Sequence, residues 1–448
     1  MARVILGLGG NEPGASGRAH FLRAALRQLD VLVEILRVSP LYDSAAMLPD
    51  GASAEWAKPF LNLSLACETS LEPGRLLDEV KKIEKSLGRK AAERWAPREI
   101  DIDILAYEGV VTSTDRLTLP HAGLCERPFA LLPFADVAPD IRIGDRKAGE
   151  LARKWQSVAS EEVPFRTRRS KEKLVELMGI LNATPDSFSD GGRNLNEILE
   201  TAASLVAHGA DVLDLGAEST RPGATAVASP EEWSRLERFI PRLLELRTAD
   251  GRGVRLSVDT RHADVARAAT AAGAHWINDV SGGDDDEMLE VVAETGVEYV
   301  FMHHLGVPPS NKIHLVGDPV EDLVKWLRAK TETMVGRGLA RERLIFDPGI
   351  GFGKTLEQTF DVFRNAHLLR RAAHELGVRI LVGHSRKGFL ARAIGEKPAH
   401  ERDAETAMIS GILAAKGVDY LRVHDIEFHQ RSLAAAALAG NAFTWEPR

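Results

Sequence analysis

The sequence predicts two domains of different fold class, an N-terminal α+β sandwich of the ferredoxin-like type and a C-terminal α/β barrel of the TIM, or (β/α)8, type. At 448 residues, the chain is too long for one ordinary domain. Residues 1–160 show apolar patterns in the order β-α-β-β-α-β, which is typical of the sandwich. Within residues 174–448, a short apolar run followed by polar residues occurs eight times, which is typical of the barrel. Residues 161–173, with several basic residues, are predicted to be a solvated linker.

The composition is typical of a soluble globular protein, with 44% hydrophobic and 27% charged residues. A net charge of −8 favours neither nucleic acid nor a membrane as a partner. The two cysteines, Cys67 and Cys125, lie in no CxxC motif, which favours a reducing compartment. No apolar run has the length of a signal peptide or a membrane span, so we expect a cytoplasmic protein.

The elements of the N-terminal domain follow from hydrophobic spacing. Strands are predicted at 4–8, 31–38 and 60–67. Helices are predicted around 21–29 and from Pro73 to a terminating Gly88. The next strand, within 93–105 (ERWAPREIDIDIL), carries the first candidate site.

Asp101 and Asp103 are the centre of that site, because residues two apart in a strand share a face. Adjacent carboxylates repel each other unless a cation lies between them, and Mg²⁺ takes carboxylate and phosphate oxygens. The alternative is a solvated strand face with surface ion pairs. Function is favoured because basic residues suited to phosphoryl transfer surround the pair. They are Arg89, Lys90, Arg94, Arg98, Arg116, His121 and Arg127.

This part of the chain resembles 6-hydroxymethyl-7,8-dihydropterin pyrophosphokinase. The motifs are GLGGN (7–11), FLN (60–62), ERWAPREIDIDIL (93–105), LTLPH (117–121) and RPFALLP (127–133). The resemblance implies that Asp101 and Asp103 hold two Mg²⁺ between the phosphates of ATP, and that Arg94 and Arg98 are catalytic. The residues implied to bind ATP are Arg94, Trp95, Arg98, Arg116, Thr118, His121 and Arg127. The residues implied to bind the pterin are Phe60, Asn62 and Phe129.

The strands of the barrel are predicted at 174–181, 211–216, 254–258, 275–278, 298–302, 344–346, 380–382 and 419–423. Polar residues stand at the end of every strand, and in a barrel these ends converge on the rim that holds the active site. They are Asn182, 218–221, Asp259, Asn278 and Asp279, His303 and His304, Asp347, 384–387, and 422–425. Between the second and third strands, Ser229 is predicted to cap a helix that continues to Leu244 with a kink at Pro241.

The residue types on the rim suit a flat heterocycle, a diphosphate and Mg²⁺. Donors and acceptors for a heterocycle come from Asp259, Asn278 and Asp347. Positive charge for a diphosphate comes from Arg221, Arg422 and His424. A neutral oxygen ligand for Mg²⁺ comes from Asn182. The Gly-rich stretch 347–354 lacks the spacing of a phosphate loop, whereas the N–H groups of 385–388 are suited to a carboxylate.

This second part resembles dihydropteroate synthase. The motifs are MGILNATPDSFSDGG (178–192), DLGAESTRPGA (214–224), SVDT (257–260), INDVSGG (277–283), FDPGIGFGK (346–354), GHSRKGF (383–389) and RVHD (422–425). The resemblance implies condensation of a pterin diphosphate with p-aminobenzoate, Mg²⁺ on Asn182, and catalytic roles for Arg221, Lys387, Arg422 and His424. Residues implied to bind the pterin or its diphosphate are Thr220, Arg221, Asp259, Asn278, Asp347, Lys387, Arg422 and His424. Residues implied at the p-aminobenzoate site are Phe188, Pro222, Phe352, Lys387 and Gly388.

The two resemblances support each other, because the product of the first reaction is the substrate of the second. Three alternatives are open. A metal-dependent barrel hydrolase requires a His-x-His at the first strand, where this chain has Asn182. A pterin-binding methyltransferase does not need the cationic residues for diphosphate. In the third, one half is a non-catalytic docking module. The second resemblance also implies a homodimer formed through the barrel.

Overall fold

The computed structural model describes residues 1–89, 95–159, 161–183, 193–218, 226–307, 309, 313–438 and 443–444. The chain forms two compact units. The first unit comprises Met1–Leu174 together with Ala434–Arg448, and the second comprises Val175–Leu433. Among the residues described, none of the helices combines the length and the apolar character that a membrane span requires.

The first unit is built on an antiparallel sheet in the hydrogen-bonded order β10-β3-β4-β1-β5, with β2 also paired to β4. Its strands are β1 (Ala2–Gly10), β2 (Glu34–Val38), β3 (Tyr42–Ser44), β4 (Phe60–Thr69), β5 (Asp101–Tyr107), β6 (Thr112–Ser113), β7 (Thr118–Leu119), β8 (Arg142–Ile143), β9 (Arg146–Lys147) and β10 (Arg168–Arg169). Its helices are α1 (His20–Leu32), α2 (Pro73–Ser86), α3 (Pro128–Val137) and α4 (Ala148–Gln156). This confirms the predicted α+β class.

Side chains on the two faces of this sheet enter two different hydrophobic cores, because successive residues of a strand point in opposite directions. Leu6 of β1 packs in a core with residues of α1 and α2, such as Leu22 and Val80. The preceding residue, Ile5, packs with residues of α3, such as Phe134. The sheet is therefore a central layer covered by helices on both faces.

The second unit is a closed barrel of eight parallel strands. They are β11 (Glu176–Asn182), β12 (Val212–Gly216), β13 (Arg255–Asp259), β14 (Trp276–Asp279), β15 (Glu298–Met302), β16 (Leu344–Asp347), β17 (Arg379–Val382) and β18 (Tyr420–Val423). The helices are α5 (Arg193–Ala207), α6 (Ser229–Leu236), α7 (Ile240–Leu244), α8 (Ala263–Ala271), α9 (Asp286–Thr295), α10 (Pro319–Gly336), α11 (Leu356–Arg364), α12 (Ala366–Glu375), α13 (Gly388–Ile394), α14 (Asp403–Ala415) and α15 (Ile426–Leu438). All eight predicted strands are confirmed.

The prediction of one capped and kinked helix between β12 and β13 is wrong. The structure has two helices, and Pro241 lies in the first turn of α7. The N–H groups of a first turn have no partner within the helix, so a proline there costs no helical hydrogen bond. Ser229 does not cap α6. Its hydroxyl donates to Asp264 Oδ2 at 2.6 Å, and Ala228 occupies the capping position.

Two segments extend the sheet of the first unit. Residues 164–169, within the predicted linker, form a short 3₁₀ turn (Pro164–Arg166) and β10, which pairs with β3. A last strand, β19 (Phe443–Thr444), pairs with β2.

Candidate functional sites

The end of β1 brings the predicted residues of the first site together. Gly9 is paired with Asn62 of β4 on one side and with Asp101 of β5 on the other. A Cβ atom on Gly9 would lie 3.0 Å from Asn62 Oδ1, so glycine allows this close approach. The next residues fix the loop before β5, because Asn11 Oδ1 accepts a hydrogen bond from the Arg98 N–H at 2.8 Å. The GLGGN motif thus lies between the strand that carries Asn62 and the strand that carries Asp101.

Asp101 and Asp103 lie on one face of β5, as the spacing predicts. Lys81 Nζ lies 3.7 Å from Asp101 Oδ1 and 3.9 Å from Asp103 Oδ1. Arg89 and Arg98 donate to the two oxygens of Asp101 at 2.5 and 2.9 Å. Three cations therefore meet two carboxylates at one place on the sheet.

The two carboxylates differ in their electrostatic environment. Burial opposes ionisation of Asp101, but Lys81, Arg89 and Arg98 outweigh it and lower the pKa of Asp101. Burial raises the pKa of Asp103, and the neighbouring charge of Asp101 raises it further. A cation bound between the two would favour the charged form of Asp103.

Glu84 is a third carboxylate at this place, which the sequence analysis did not identify. It lies on α2, is 3% exposed, and accepts hydrogen bonds from the Ile102 N–H and from Lys81 Nζ, both at 2.7 Å. It also forms an ion pair with Arg89 at 2.5 Å. Glu84 therefore ties α2 to β5 and holds two of the cations beside Asp101.

Asn62 and Phe129 occupy polar and aromatic surroundings that suit the predicted pterin contacts. Asn62 is buried, and its Nδ2 donates to Ser44 Oγ at 2.9 Å. Phe129 is half-buried and packs edge-to-face against Phe165, with 5.4 Å between the ring centroids. Phe60, at the start of β4, is also half-buried.

The predicted ATP residues are less closely grouped. His121 lies near Asp103, and its charge when protonated partly opposes the rise that burial causes in the pKa of that carboxyl. Arg116 forms an exposed ion pair with Asp78 at 2.6 Å. Trp95 has a left-handed backbone, with φ of 87°. Of the other residues predicted to bind ATP, Thr118 lies in β7 and Arg127 lies just before α3. Arg94 lies outside the described residues.

Arg422 organises the carboxyl end of the barrel. Its Nε donates to Asp214 Oδ2 at 2.5 Å, and its Nη2 donates to Asp259 Oδ2 at 2.6 Å. Asn278 Nδ2 donates to the same Asp214 oxygen at 3.0 Å. Burial raises the pKa of Asp259 to about 7, although the charge of Arg422 opposes that rise. Side chains from β12, β13, β14 and β18 thus form one hydrogen-bonded group.

Asp347, at the end of β16, lies beside this group. It is 5% exposed, and burial raises its pKa. A Cβ atom on Gly383 would lie 3.2 Å from Asp347 Oδ2 and 3.9 Å from Arg422 Cβ. The first glycine of the GHSRKGF motif therefore leaves room for the side chains of Asp347 and Arg422, which come from the strands on either side of β17.

Lys387 is the second cation of this rim. Its Nζ donates to the Ile350 carbonyl at 2.5 Å and lies 5.0 Å from the centre of the Phe352 ring. Burial lowers the pKa of Lys387 to about 8, although Asp347 opposes that change. The predicted pterin and p-aminobenzoate residues therefore meet at this lysine.

The Gly-rich stretch 347–354 is a tightly held loop, not a phosphate loop. A Cβ atom on Gly349 (φ 66°) would lie 1.9 Å from the His303 carbonyl oxygen, so only glycine fits there. Lys354 is 3% exposed, and its Nζ lies 3.1 Å from His303 Nδ1, 3.0 Å from the Gly349 oxygen and 3.2 Å from the Phe352 oxygen. The ammonium group is fully engaged in fixing the loop that carries Phe352.

Three of the polar residues at strand ends serve the fold instead of the site. Asp279 accepts a hydrogen bond from the Tyr299 hydroxyl at 2.6 Å in the buried interior. His303 and His384 are buried, and burial lowers the pKa of each to about 3, so both are neutral at physiological pH. His384 Nε2 lies 2.9 Å from Ser410 Oγ.

The other predicted residues of the barrel site lie on or near the rim. Asn182 ends β11 and is exposed. Gly388 begins α13 with open space where a Cβ atom would stand. His424 Nδ1 lies 3.0 Å from Ser385 Oγ, which orients the imidazole. The predicted residues that lie outside the described part of the chain are Phe188, Thr220, Arg221 and Pro222.

Both halves of the chain match known families. Residues 5–139 match the family described as 7,8-dihydro-6-hydroxymethylpterin-pyrophosphokinase, and residues 178–424 match the family described as pterin binding enzyme. A folate synthesis bifunctional protein of Chlamydia caviae is 36% identical over 98% of this chain and 98% of its own length. A protein of the same description from Arabidopsis thaliana is 34% identical, over 94% of this chain and 93% of its own length.

The chain belongs to the bifunctional folate synthesis proteins. It is an enzyme with two activities, pyrophosphorylation of 6-hydroxymethyl-7,8-dihydropterin and synthesis of dihydropteroate, which are two successive steps of folate biosynthesis. Because the chain belongs to this family, the three alternatives are excluded: a barrel hydrolase, a pterin-binding methyltransferase, and a non-catalytic docking role for one half.

Solved structures resemble the barrel half of this bifunctional folate synthesis protein. Dihydropteroate synthase from Anaplasma phagocytophilum, with bound 6-hydroxymethylpterin-monophosphate, is 36% identical with a TM-score of 0.53, over 59% of this chain and 99% of that one. Dihydropteroate synthase from Xanthomonas albilineans with 4-aminobenzoic acid is 35% identical with a TM-score of 0.54, over 61% of this chain and 95% of that one.

Asp214 is the residue of this bifunctional protein that the sequence analysis overlooked in the barrel. It is 0% exposed, and its Oδ1 has no hydrogen-bond partner among the described residues. A signal was present, because Asp214 interrupts the apolar run of β12, where a parallel strand buried on both faces is expected to be apolar throughout.

Proposed function

We propose that the first site transfers diphosphate from ATP to the pterin with Mg²⁺ held by Asp101 and Asp103. The donor set fits this hard cation, because both residues offer carboxylate oxygens on one partly exposed face. In the described part of the chain no group of three His, Cys, Asp or Glu side chains is placed to hold a metal, so phosphates and water would complete the coordination. Bound Mg²⁺ would neutralise charge on the phosphates.

In this proposal the protein positions the reactants and supplies positive charge. The hydroxymethyl oxygen of the pterin loses its proton and bonds to the β-phosphorus of ATP, the bond from that phosphorus to the α-phosphate oxygen breaks, and AMP leaves with the electron pair. Arg98 and His121 stabilise the phosphate charge beside Asp101 and Asp103, with Arg94, Trp95, Arg116, Thr118 and Arg127 as further ATP contacts. Phe60 and Phe129 stack on the pterin, and Asn62 bonds to its edge.

The barrel site is proposed to join the pterin diphosphate to p-aminobenzoate. The amine nitrogen bonds to the pterin methylene, the carbon–oxygen bond breaks, diphosphate leaves with the electron pair, and the nitrogen loses a proton. Asp259, Asn278 and Asp347 would bind the pterin, and Arg422, Lys387 and His424 would stabilise the leaving charge. Thr220 and Arg221 are further diphosphate contacts, Asn182 is the Mg²⁺ ligand, and p-aminobenzoate would contact Phe188, Pro222, Phe352 and Gly388.

The observation that carries the proposal is the partly buried Arg422, which is held between two carboxylates at the barrel rim. Such an arginine is preorganised, so it need not reorient when negative charge develops on the leaving diphosphate.

Product formation by the intact chain tests the proposal. With Mg²⁺, ATP, 6-hydroxymethyl-7,8-dihydropterin and p-aminobenzoate, mass spectrometry is expected to detect AMP and dihydropteroate, and EDTA is expected to abolish both. AMP with the pterin diphosphate but no dihydropteroate would contradict the barrel assignment. Dihydropteroate from supplied pterin diphosphate, without AMP from ATP, would contradict the assignment of the first site.

We also propose a cytoplasmic homodimer formed through the barrel. Met408 and Ile412, one turn apart on α14, are 71% and 53% exposed, and Phe428 on α15 is 46% exposed. The hydroxyl of Ser432 on α15 donates to the Ala407 carbonyl on α14 at 2.7 Å, so the two helices are neighbours. An exposed apolar face of this kind suits a self-complementary interface. The exposed free thiol of Cys125 suits a reducing compartment.

Replacing Ile412 by Asp is expected to convert the dimer into a monomer, because a charge in an apolar interface loses its hydration without gaining a partner. Light scattering coupled to size-exclusion chromatography measures the change. Val316→Asp is the matched control, since Val316 is 90% exposed and lies away from α14 and α15 in the sequence. A dimer in both variants, or a monomeric wild type, would contradict the proposed interface.

A further inference from the structure

The segment 163–170 belongs to neither of the two family matches, which cover 5–139 and 178–424. It is nevertheless built into the first unit. Val163 is 5% exposed and Thr167 is 2% exposed, and β10 pairs Arg169 with Tyr42 of β3. The segment therefore forms an edge of the sheet that carries the pterin side of the first site.

Phe165 is the residue of this segment that contacts the site. Its ring packs edge-to-face against Phe129, with ring centroids 5.4 Å apart and an interplanar angle of 72°. Edge-to-face packing is a favourable arrangement of two aromatic rings, and this contact restrains the orientation of the Phe129 ring.

The backbone of Phe165 makes a second contact with the same site. Its carbonyl oxygen accepts a hydrogen bond from the Ala45 N–H at 2.6 Å. The residue before Ala45 is Ser44, whose hydroxyl accepts from Asn62 Nδ2 at 2.9 Å. One residue of the segment thus supports both the aromatic and the amide groups that are proposed to bind the pterin.

A polar network holds the segment in place. Arg169 Nη2 donates to Asp136 Oδ1 at 3.2 Å, and the Tyr42 hydroxyl donates to Asp136 Oδ2 at 2.6 Å. Phe165 and Arg166 have left-handed backbone conformations, with φ of 60° and 46°, which residues other than glycine rarely adopt. A strained backbone conformation of this kind is retained only where surrounding contacts enforce it, and such conformations are often found at functional sites.

We propose that Phe165 is a positioning residue of the pyrophosphokinase site, which orients Phe129 and the strand end beside Asn62 for a flat bicyclic pterin. The inference rests on the proposed pterin-binding roles of Phe129 and Asn62. It extends the pterin site beyond the part of the chain that matches the pyrophosphokinase family, to a segment that joins the two catalytic halves in sequence.

The test is steady-state kinetics of the full chain with Phe165→Ala, Phe165→Tyr and Glu162→Ala. Phe165→Ala is expected to raise the KM for 6-hydroxymethyl-7,8-dihydropterin about tenfold, because the edge-to-face pair and its restraint on Phe129 are lost. The KM for ATP should change less than about twofold. Phe165→Tyr retains the ring and should restore the wild-type KM. Glu162 is exposed, immediately precedes the segment, and serves as the matched control. Dihydropteroate synthesis from supplied pterin diphosphate should be unchanged in every variant.

Phe129→Ala separates failure of this inference from failure of the proposed pterin site. If Phe129→Ala raises the KM for the pterin and Phe165→Ala behaves like Glu162→Ala, Phe165 has no positioning role. If Phe129→Ala leaves that KM unchanged, the proposed pterin site itself is wrong. Equal increases in the KM for ATP and for the pterin with Phe165→Ala would indicate general disruption and would also overturn the inference.

Discussion

Replacing Asp101 by Asn is expected to lower pyrophosphokinase activity about a thousandfold, since the proposed Mg²⁺ loses a charged ligand that contributes several kcal/mol to the transition state. Asn has the same shape but carries no charge, so Arg89 and Arg98 lose the carboxylate with which they pair. AMP formation from ATP and the pterin measures the effect. Dihydropteroate synthesis from supplied pterin diphosphate should be unchanged, because the barrel is a separate compact unit.

Glu79→Gln is the matched control for this substitution. Glu79 is on α2 and forms surface ion pairs with Arg75 and Lys82, and such pairs contribute at most about 1 kcal/mol to stability. The control variant should keep full activity. If Asp101→Asn retains more than about a tenth of the wild-type rate, Asp101 is not a metal ligand that the reaction requires. If both activities of Asp101→Asn fall together, the substitution has unfolded the protein.

The residues of the first site could be predicted where they share one strand, but not where two elements meet. Asp101 and Asp103 follow from the two-residue period of β5. Glu84 is 17 residues before Asp101 and lies on a different element, α2. Glutamate on a helix is most often solvated, so only the packing of α2 against β5 reveals that this carboxylate is buried.

The barrel strands were predictable because parallel strands covered on both faces form continuous apolar runs. The long-range pairs of the site were not. Arg422 and Asp214 are 208 residues apart, and nothing in either local pattern indicates the other as its partner. β10 was missed for a different reason. An edge strand pairs through its backbone groups, which leave little signal in the sequence. The basic side chains of β10 therefore gave it the pattern of a solvated linker.

Replacing Arg422 by Lys is expected to lower dihydropteroate synthesis at least about a hundredfold and to destabilise the barrel by about 3 kcal/mol. A lysine ammonium is a point charge and cannot reproduce the planar fork that contacts both Asp214 and Asp259. Asp214 is 0% exposed, so it would remain as a buried charge without its strongest partner. Initial rates with supplied pterin diphosphate measure the first effect, and urea unfolding measures the second.

Arg431→Lys is the matched control, because Arg431 forms an exposed ion pair on α15 and should tolerate lysine in both measurements. Pyrophosphokinase activity is an internal control for the folding of the first unit. Full synthase activity in Arg422→Lys would contradict the role proposed for the guanidinium.

Combining Arg422→Lys with Asp214→Asn separates the two effects. Asn removes the buried charge, so the double variant should regain most of the lost stability, since the cost arises from an unpaired carboxylate. Its synthase activity should remain low, because stabilisation of the leaving diphosphate needs the positioned guanidinium and not merely a stable barrel. Recovery of activity together with stability would mean that Arg422 acts only by holding the barrel rim together.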